Sequence, residues 1–209
     1  MLSLLSTNPL VFLFWIVGLT AAITIHEFAH AAAADRLGDP TPRSQGRLTL
    51  NPLAHLDPLG TLVLLIARFG WGKPVVFDPY NLENPKRDSM IIALAGPAAN
   101  LALAAALSLI LRLAPIAGMV PELLATLLIP TIFLNIMLAV FNLVPIHPLD
   151  GGKILVGLLP HHEARTVDLF LHRYGTFILI LLIIPISGAS AISGIISPIV
   201  QFILNLILP

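Results

Sequence analysis

The chain has 209 residues, of which 57% are hydrophobic and 11% charged, with acidic and basic side chains in equal number. Soluble chains carry about 25% charged residues, so the composition excludes an ordinary soluble domain, and the zero net charge gives no nucleic-acid reading. No cysteine is present, which excludes disulfides and thiolate metal sites.

The first apolar run, about Pro9 to Ala34, is long enough to cross a bilayer, which takes about 20 residues. It has no basic leader and no small-residue cleavage site, so it reads as a retained span. The stretch from Asp35 to Pro58 is rich in Gly, Pro and charge and reads as loop, with the alternating RLTLN, residues 47–51, as a short strand. LGTLVLLIARF, 59–69, is apolar but too short to span, which suits a re-entrant or interfacial segment. Loop follows, with PVVF at 74–77 as a second strand. Two further spans are expected at about Met90–Leu113 and about Leu123–Pro145, separated by a turn in APIAGMVPE. LPHHEARTVDLFLHRYG, 159–175, is polar enough to lie outside the membrane. Thr176–Pro209 is apolar but carries Pro185, Gly188 and Pro198, and reads as one broken span or two short ones. The expected fold is an all-α polytopic membrane protein, a bundle of about 4–6 transmembrane helices with short re-entrant or β segments between the first two full spans. It forms a single membrane-embedded unit over 1–209, with a core of about 9–155 and C-terminal helices of about 174–209.

His26-Glu27-Phe28-Ala29-His30 matches H-E-x-x-H near the end of the first span. Residues i and i+4 share a helical face, so both imidazoles can reach one ion. Glu27 lies about 100° round from His26 and can stand beside that ion as a base. Two hydrogen-bonded core histidines are the plain alternative, but ionisable groups inside a span are costly and point to function. A catalytic zinc wants three protein ligands and an open position. The best candidate for the third is Asp150 in FNLVPIHPLDGG, 141–152; taken alone, Asp-Gly is also an ordinary turn pair.

HEFAH on the first span followed by N-x-x-P-x-x-P-L-D-G-G on a later one resembles the site-2 protease family of zinc intramembrane metalloproteases. AGPAAN, 95–100, is similar to that family's G-P-x-x-N signature, and GRLTLNP and GWGKPV to its intervening β segments. The resemblance implies one Zn2+ held by His26, His30 and Asp150, with Glu27 as the base that takes a proton from water and delivers it to the leaving amine. It places Asn142 near the zinc, where its amide could hold the substrate carbonyl or oxyanion. It implies a transmembrane protein substrate within the lipid bilayer, unwound before attack, for which strand 47–51 could supply pairing. His147 departs from the pattern, where proline or a small residue is expected; it reads as an interfacial side chain, with a spare ligand or a supporting donor as the alternatives. No room is left for a PDZ or CBS module, so a minimal, core-only member is expected.

The charges give an independent orientation. Nothing basic precedes the first span while Arg36, Arg43 and Arg47 follow it, so its carboxyl end faces the cytoplasm of a prokaryotic cell membrane. Asp150 reaches the same side only if 59–69 enters and leaves by one face; Arg112 is the lone basic residue against the rule. Asn135 reads as an interhelical hydrogen-bonding residue, Asn100 with Gly96 and Pro97 as helix packing, His55 and Asp57 as loop-ordering residues, and His161, His162 and His172 as solvated. A membrane-anchored zincin acting on soluble chains, and a membrane-bound metal carrier or catalytically silent scaffold, are the competing functions.

Overall fold

The computed structural model describes residues 7–67, 70–115, 121–186 and 189–208. In chain order the helices are α1 (Pro9–Arg36), α2 (Thr41–Ser44), α3 (Pro58–Ala67), α4 (Pro85–Leu113), α5 (Pro121–Asn142), α6 (Asp150–Leu158), α7 (His161–Ile183) and α8 (Ala191–Ile207). Single 3-10 turns lie at Pro52–Ala54 and Pro79–Asn81, and β1 (Pro185–Ile186) pairs antiparallel with β2 (Ala189–Ser190) between α7 and α8. Among the described residues, α1, α4, α5 and α7 are long and apolar enough to cross a membrane, and α8 is a shorter apolar helix. The protein is thus an all-α polytopic membrane protein.

Several segments differ from expectation for local reasons. RLTLN forms no strand: the Thr49 amide donates to Arg47 O at 2.9 Å, the Asn51 amide to Thr49 Oγ1 at 3.1 Å, and Asn51 Oδ1 caps the next turn through Leu53 N at 3.1 Å. The polar residues that create its alternation are spent on turns. PVVF joins no ladder either; pairing in this region is one isolated bridge, Leu56 with Gly72. Residues 161–175, read from the sequence as a polar segment separate from the apolar run that follows, are the first part of α7 and continuous with the apolar residues after Thr176. The apolar C-terminus therefore divides between the end of α7 and a separate α8. The break falls at Pro185, which has no amide to continue the helix. Arg68, Phe69, Gly188 and the centre of the APIAGMVPE turn, 116–120, lie outside the described residues.

Small residues on α1 decide how the helices meet. Gly18, Ala22, His26 and His30 recur every fourth position and are all buried, a single ridge facing α4 and α5. A Cβ on Gly18 would come within 2.7 Å of Thr131 Oγ1 on α5, so the glycine sets the approach of those backbones. Helix α4 answers with a buried stripe of Ile92, Gly96, Asn100, Ala104 and Ser108. On the far side, Ile132, Ile136 and Val140 of α5 pack with Ile192, Ile196, Val200 and Leu204 of α8 in the main apolar core. Arg112 has a structural reason to stand apart from the other basic residues. Its guanidinium donates to Ile207 O at 3.0 Å and Leu208 O at 3.2 Å, and so holds the carbonyl end of α8, where a cation is favoured.

The loop from 37 to 84 is ordered by buried polar groups. Gly38 ends α1 with a φ of +103°, a left-handed conformation that suits glycine. Asp39, fully buried, accepts from Thr41 Oγ1 at 2.6 Å, Asn81 Nδ2 at 2.8 Å and the Asp78 amide at 2.8 Å. Burial pushes this carboxyl up, but those hydrogen bonds outweigh it and hold the group below the usual carboxylate range. Arg47 reaches the carbonyls of Ala54 and Lys73. His55 Nε2 bonds Thr49 O at 2.8 Å, and Asp57 Oδ1 accepts from Gly60 N at 2.7 Å at the start of α3. His55 and Asp57 are thus loop-ordering residues.

Candidate metal centre

Helix α1 carries His26 and His30 one turn apart, and the first residue of α6 brings Asp150 to them from 120 positions away or more. Asp150 Oδ2 is 3.1 Å from His26 Nε2 and 3.3 Å from His30 Nε2, and the three donor atoms all lie within 4.8 Å of one another. Tetrahedral zinc with bonds of about 2.0–2.1 Å separates its ligand atoms by about 3.3 Å. The donor set therefore fits zinc with little movement.

Both imidazoles are oriented from behind. His26 Nδ1–H donates to Asn100 Oδ1 at 2.6 Å, and His30 Nδ1–H to the Ile92 carbonyl at 2.7 Å. These bonds place the protons on Nδ1 and leave each Nε2 lone pair turned toward Asp150, the arrangement that metal-binding histidines use. Asn100 is itself fixed, donating to Ala22 O at 2.9 Å and to Asn135 Oδ1 at 2.7 Å, while Asn135 donates to Thr131 O at 2.8 Å. A relay thus runs from α5 through α4 to His26.

Three glycines let backbone approach the centre. A Cβ on Gly96 would lie 2.5 Å from His30 Nε2 and 2.8 Å from His26 Cε1, so α4 presents bare backbone to the two rings. A Cβ on Gly151 would meet the carbonyls of Leu143 and Val144, and one on Gly152 would come 2.5 Å from His147 Nδ1. The D-G-G sequence is therefore required by the close seat of α6 on the loop before it.

Glu27 stands outside the donor set, half-buried, with Oε2 accepting from the Val75 amide at 2.8 Å. The segment that supplies that amide is pinned by Lys153, whose ammonium on α6 is 4.5 Å over the Phe77 ring.

The sequence-predicted residues sort clearly by position. His26, His30 and Asp150 converge, with Glu27 beside them. Asn142 instead donates to Leu138 O, one turn back on its own helix, at 3.0 Å. Asn135 makes the expected interhelical bond. Asn100, read as a packing residue, is the hydrogen-bond partner of a candidate ligand, and the G-P-x-x-N pattern was the available signal. His161 and His162 are exposed. His147 is buried and turned away from the centre, toward Asp168 and His172.

A helical, membrane-spanning fold that brings an H-E-x-x-H pair and a distant aspartate to one point defines the class of membrane-embedded zinc metalloproteases. The chain belongs to peptidase family M50, the site-2 protease family. The family model matches residues 112–186, the part that carries Asp150. The chain is 40% identical over 152 residues to YwhC of Bacillus subtilis (strain 168), by name a candidate zinc metalloprotease, covering 69% of this chain and 68% of that one. It is 38% identical over 163 residues to Rip2 of Mycolicibacterium smegmatis, also named a candidate zinc metalloprotease, covering 75% of this chain. Rip2 of Mycobacterium tuberculosis (strain H37Rv) is 36% identical over 164 residues. The chain spans 60% of the length of either Rip2 protein. No solved structure matches it.

Proposed function

We propose that the protein is a zinc-dependent intramembrane endopeptidase that hydrolyses peptide bonds within or near the transmembrane helices of other membrane proteins, with its active site toward the cytoplasmic side. The observation that carries this reading is the convergence of His26, His30 and Asp150 at 3.1 and 3.3 Å on two helices, with the Glu27 carboxylate outside that donor set and held by the Val75 amide. Zinc held there supplies a Lewis acid that polarises a scissile carbonyl and brings the pKa of water toward about 7.

The rest is done by the chain. Glu27 takes the proton of the attacking water and returns it to the leaving amine. Before substrate arrives, the Val75 amide holds that carboxylate in place. Asn100 and the Ile92 carbonyl keep the imidazoles turned toward Asp150, and Asn142, once its Leu138 bond is released, has an amide for the oxyanion. An apolar concavity along α1, lined by Val17, Thr20, Ala21, Thr24, Ile25 and Leu50, suits an apolar helix. The orientation rests on Arg36, Arg43 and Arg47 after α1. A metal carrier would need polar groups along a path through both leaflets; the buried donors gather near one end of α1 instead.

The test compares purified wild type with Glu27→Gln on a panel of model transmembrane substrates in detergent, with cut sites mapped by mass spectrometry. Cuts inside the apolar segment that vanish in Glu27→Gln are expected. Equal cleavage by the two proteins removes Glu27 from the mechanism. Cleavage confined to soluble flanks favours the membrane-anchored zincin.

A further inference from the structure

Among the described residues, metal-ligating side chains converge at one other place. His147 lies on the loop between α5 and α6, three residues before Asp150, while Asp168 and His172 are one turn apart on α7 and so share a face. His147 Nε2 is 3.1 Å from Asp168 Oδ1, His172 Nδ1 is 3.2 Å from the same oxygen, and the three donor atoms lie within 4.8 Å of one another.

The place is built rather than accidental. His147 is 7% exposed, seated where α6 and α7 both present glycine: a Cβ on Gly152 would lie 2.5 Å from its Nδ1, and one on Gly175 would lie 2.5 Å from its carbonyl oxygen. Its two partners face water, with the His172 side chain 66% and Asp168 41% exposed. An ion therefore has an entry path on one side and a fixed imidazole on the other.

We infer that His147, Asp168 and His172 form a second binding site for a divalent transition metal of the zinc class. Two imidazoles and one carboxylate are ligands that zinc accepts, and tetrahedral bonds of about 2.0–2.1 Å require ligand separations of about 3.3 Å, against the 3.1 and 3.2 Å present. The fourth position is open to solvent. His172 Nδ1–H now donates to Asp168 O at 3.0 Å; loading moves that proton to Nε2, which is on the exposed side. The exposure makes this the weaker and more exchangeable of two sites. Because His147 and Asp150 share one short segment, an ion here fastens that segment to α7. Metal availability is thereby tied to the mobility of the loop that carries Asp150.

The experiment is equilibrium dialysis of the full chain in detergent against buffered zinc, with bound metal counted by elemental analysis and thermal stability followed in parallel. Wild type, His26→Ala, His172→Ala and His147→Gln are compared; His172 is exposed but its ring lies 4.4 Å from that of His147, so the zinc-free Tm of each variant checks its fold. Two equivalents are expected in wild type and one in His172→Ala and His147→Gln, with the zinc-dependent rise in Tm at higher zinc lost in both. His26→Ala is expected to lose the tighter equivalent and keep the weaker. Two equivalents retained by His172→Ala overturn the inference, as does a single wild-type equivalent that only His26→Ala removes. A single equivalent that His172→Ala removes and His26→Ala does not supports this site and refutes the proposed centre at His26, His30 and Asp150.

Discussion

Replacing Asn100 by alanine tests whether the buried relay behind His26 sets the metal centre. Asn100 is fully buried and makes three hydrogen bonds, at 2.6 Å to His26, 2.9 Å to Ala22 O and 2.7 Å to Asn135. The Ala22 carbonyl retains its place in the helical ladder, and polar side-chain bonds between membrane helices average only about 0.6 kcal/mol, so the cost in fold stability is modest. The cost in metal binding is larger. Losing the group that orients a ligating histidine weakens metal affinity about 10–100-fold, which is about 1.4–2.7 kcal/mol. In Asn100→Ala the His26 ring is free to turn, and its proton is free to move to Nε2, where it blocks the lone pair. Zinc competition against a chelator of known affinity, in detergent, reads the affinity directly, and circular dichroism melts read the fold. The tighter zinc equivalent is expected to weaken by at least about tenfold while Tm in the absence of zinc falls by only a few degrees. Asn135→Ala, which removes one bond to Asn100 and leaves its contact with His26, should weaken zinc less. Unchanged zinc affinity in Asn100→Ala would refute the reasoning, because the relay would then be packing alone.

Three further outcomes are expected. Gly96→Ala gains up to about 1 kcal/mol of helix propensity, but its methyl would lie 2.5 Å from His30 Nε2; metal-free Tm is expected to hold or rise while zinc affinity and cleavage fall, and intact zinc binding would contradict the close approach. Asp39 has a lowered pKa in the fold, so its contribution is whole above the unfolded carboxyl's value of about 3.9 and fades as pH falls toward the folded value; the Tm gap between wild type and Asp39→Asn should narrow on acidification below about pH 4, and a constant gap would show that the Asp39 bonds carry no linkage. Arg112→Ala removes the guanidinium from the Ile207 and Leu208 carbonyls; faster amide exchange confined to the end of α8 is expected, with cleavage unaffected, and an unchanged exchange pattern there would count against the anchoring role.

How much of this was legible beforehand depends on how local each signal is. H-E-x-x-H is legible because a turn of helix is a fixed ruler, so two imidazoles four apart share a face wherever the helix goes. Asp150 was reachable only through the pairing of two motifs, because nothing in its own neighbourhood distinguishes a ligand from a turn aspartate. Asn100 was signalled only by the G-P-x-x-N pattern and not by its own surroundings: its partner is 74 residues away, and the bond depends on how α1 and α4 rotate against each other, which Gly96 and Ala22 settle by removing bulk. Strand alternation at 47–51 misled because the same polar-apolar spacing serves residues that close turns on themselves, and Arg47 and Asn51 have closer partners than any neighbouring strand. Polarity at 161–175 gave no sign of the helix that runs on through it, because a helix carries exposed charge outside an apolar layer without interruption, so hydropathy marks where the layer ends and not where the helix does.

His147 joins these lessons to the mechanism. As one residue of a motif it reads as a departure from proline or a small side chain, and a single sequence offers no reason for it. In the fold it is the point where α6, α7 and the Asp150 loop meet, with Gly152 and Gly175 leaving it room. A bulky polar residue there costs packing freedom on two helices at once, and two glycines in the middle or near the start of helices carry their own entropic penalty. Proline has no donor or acceptor for Asp168, so it could stiffen the loop but could not fasten it to α7. His147 thus adds a polar tie between the candidate active-site loop and a helix whose exposed end meets water.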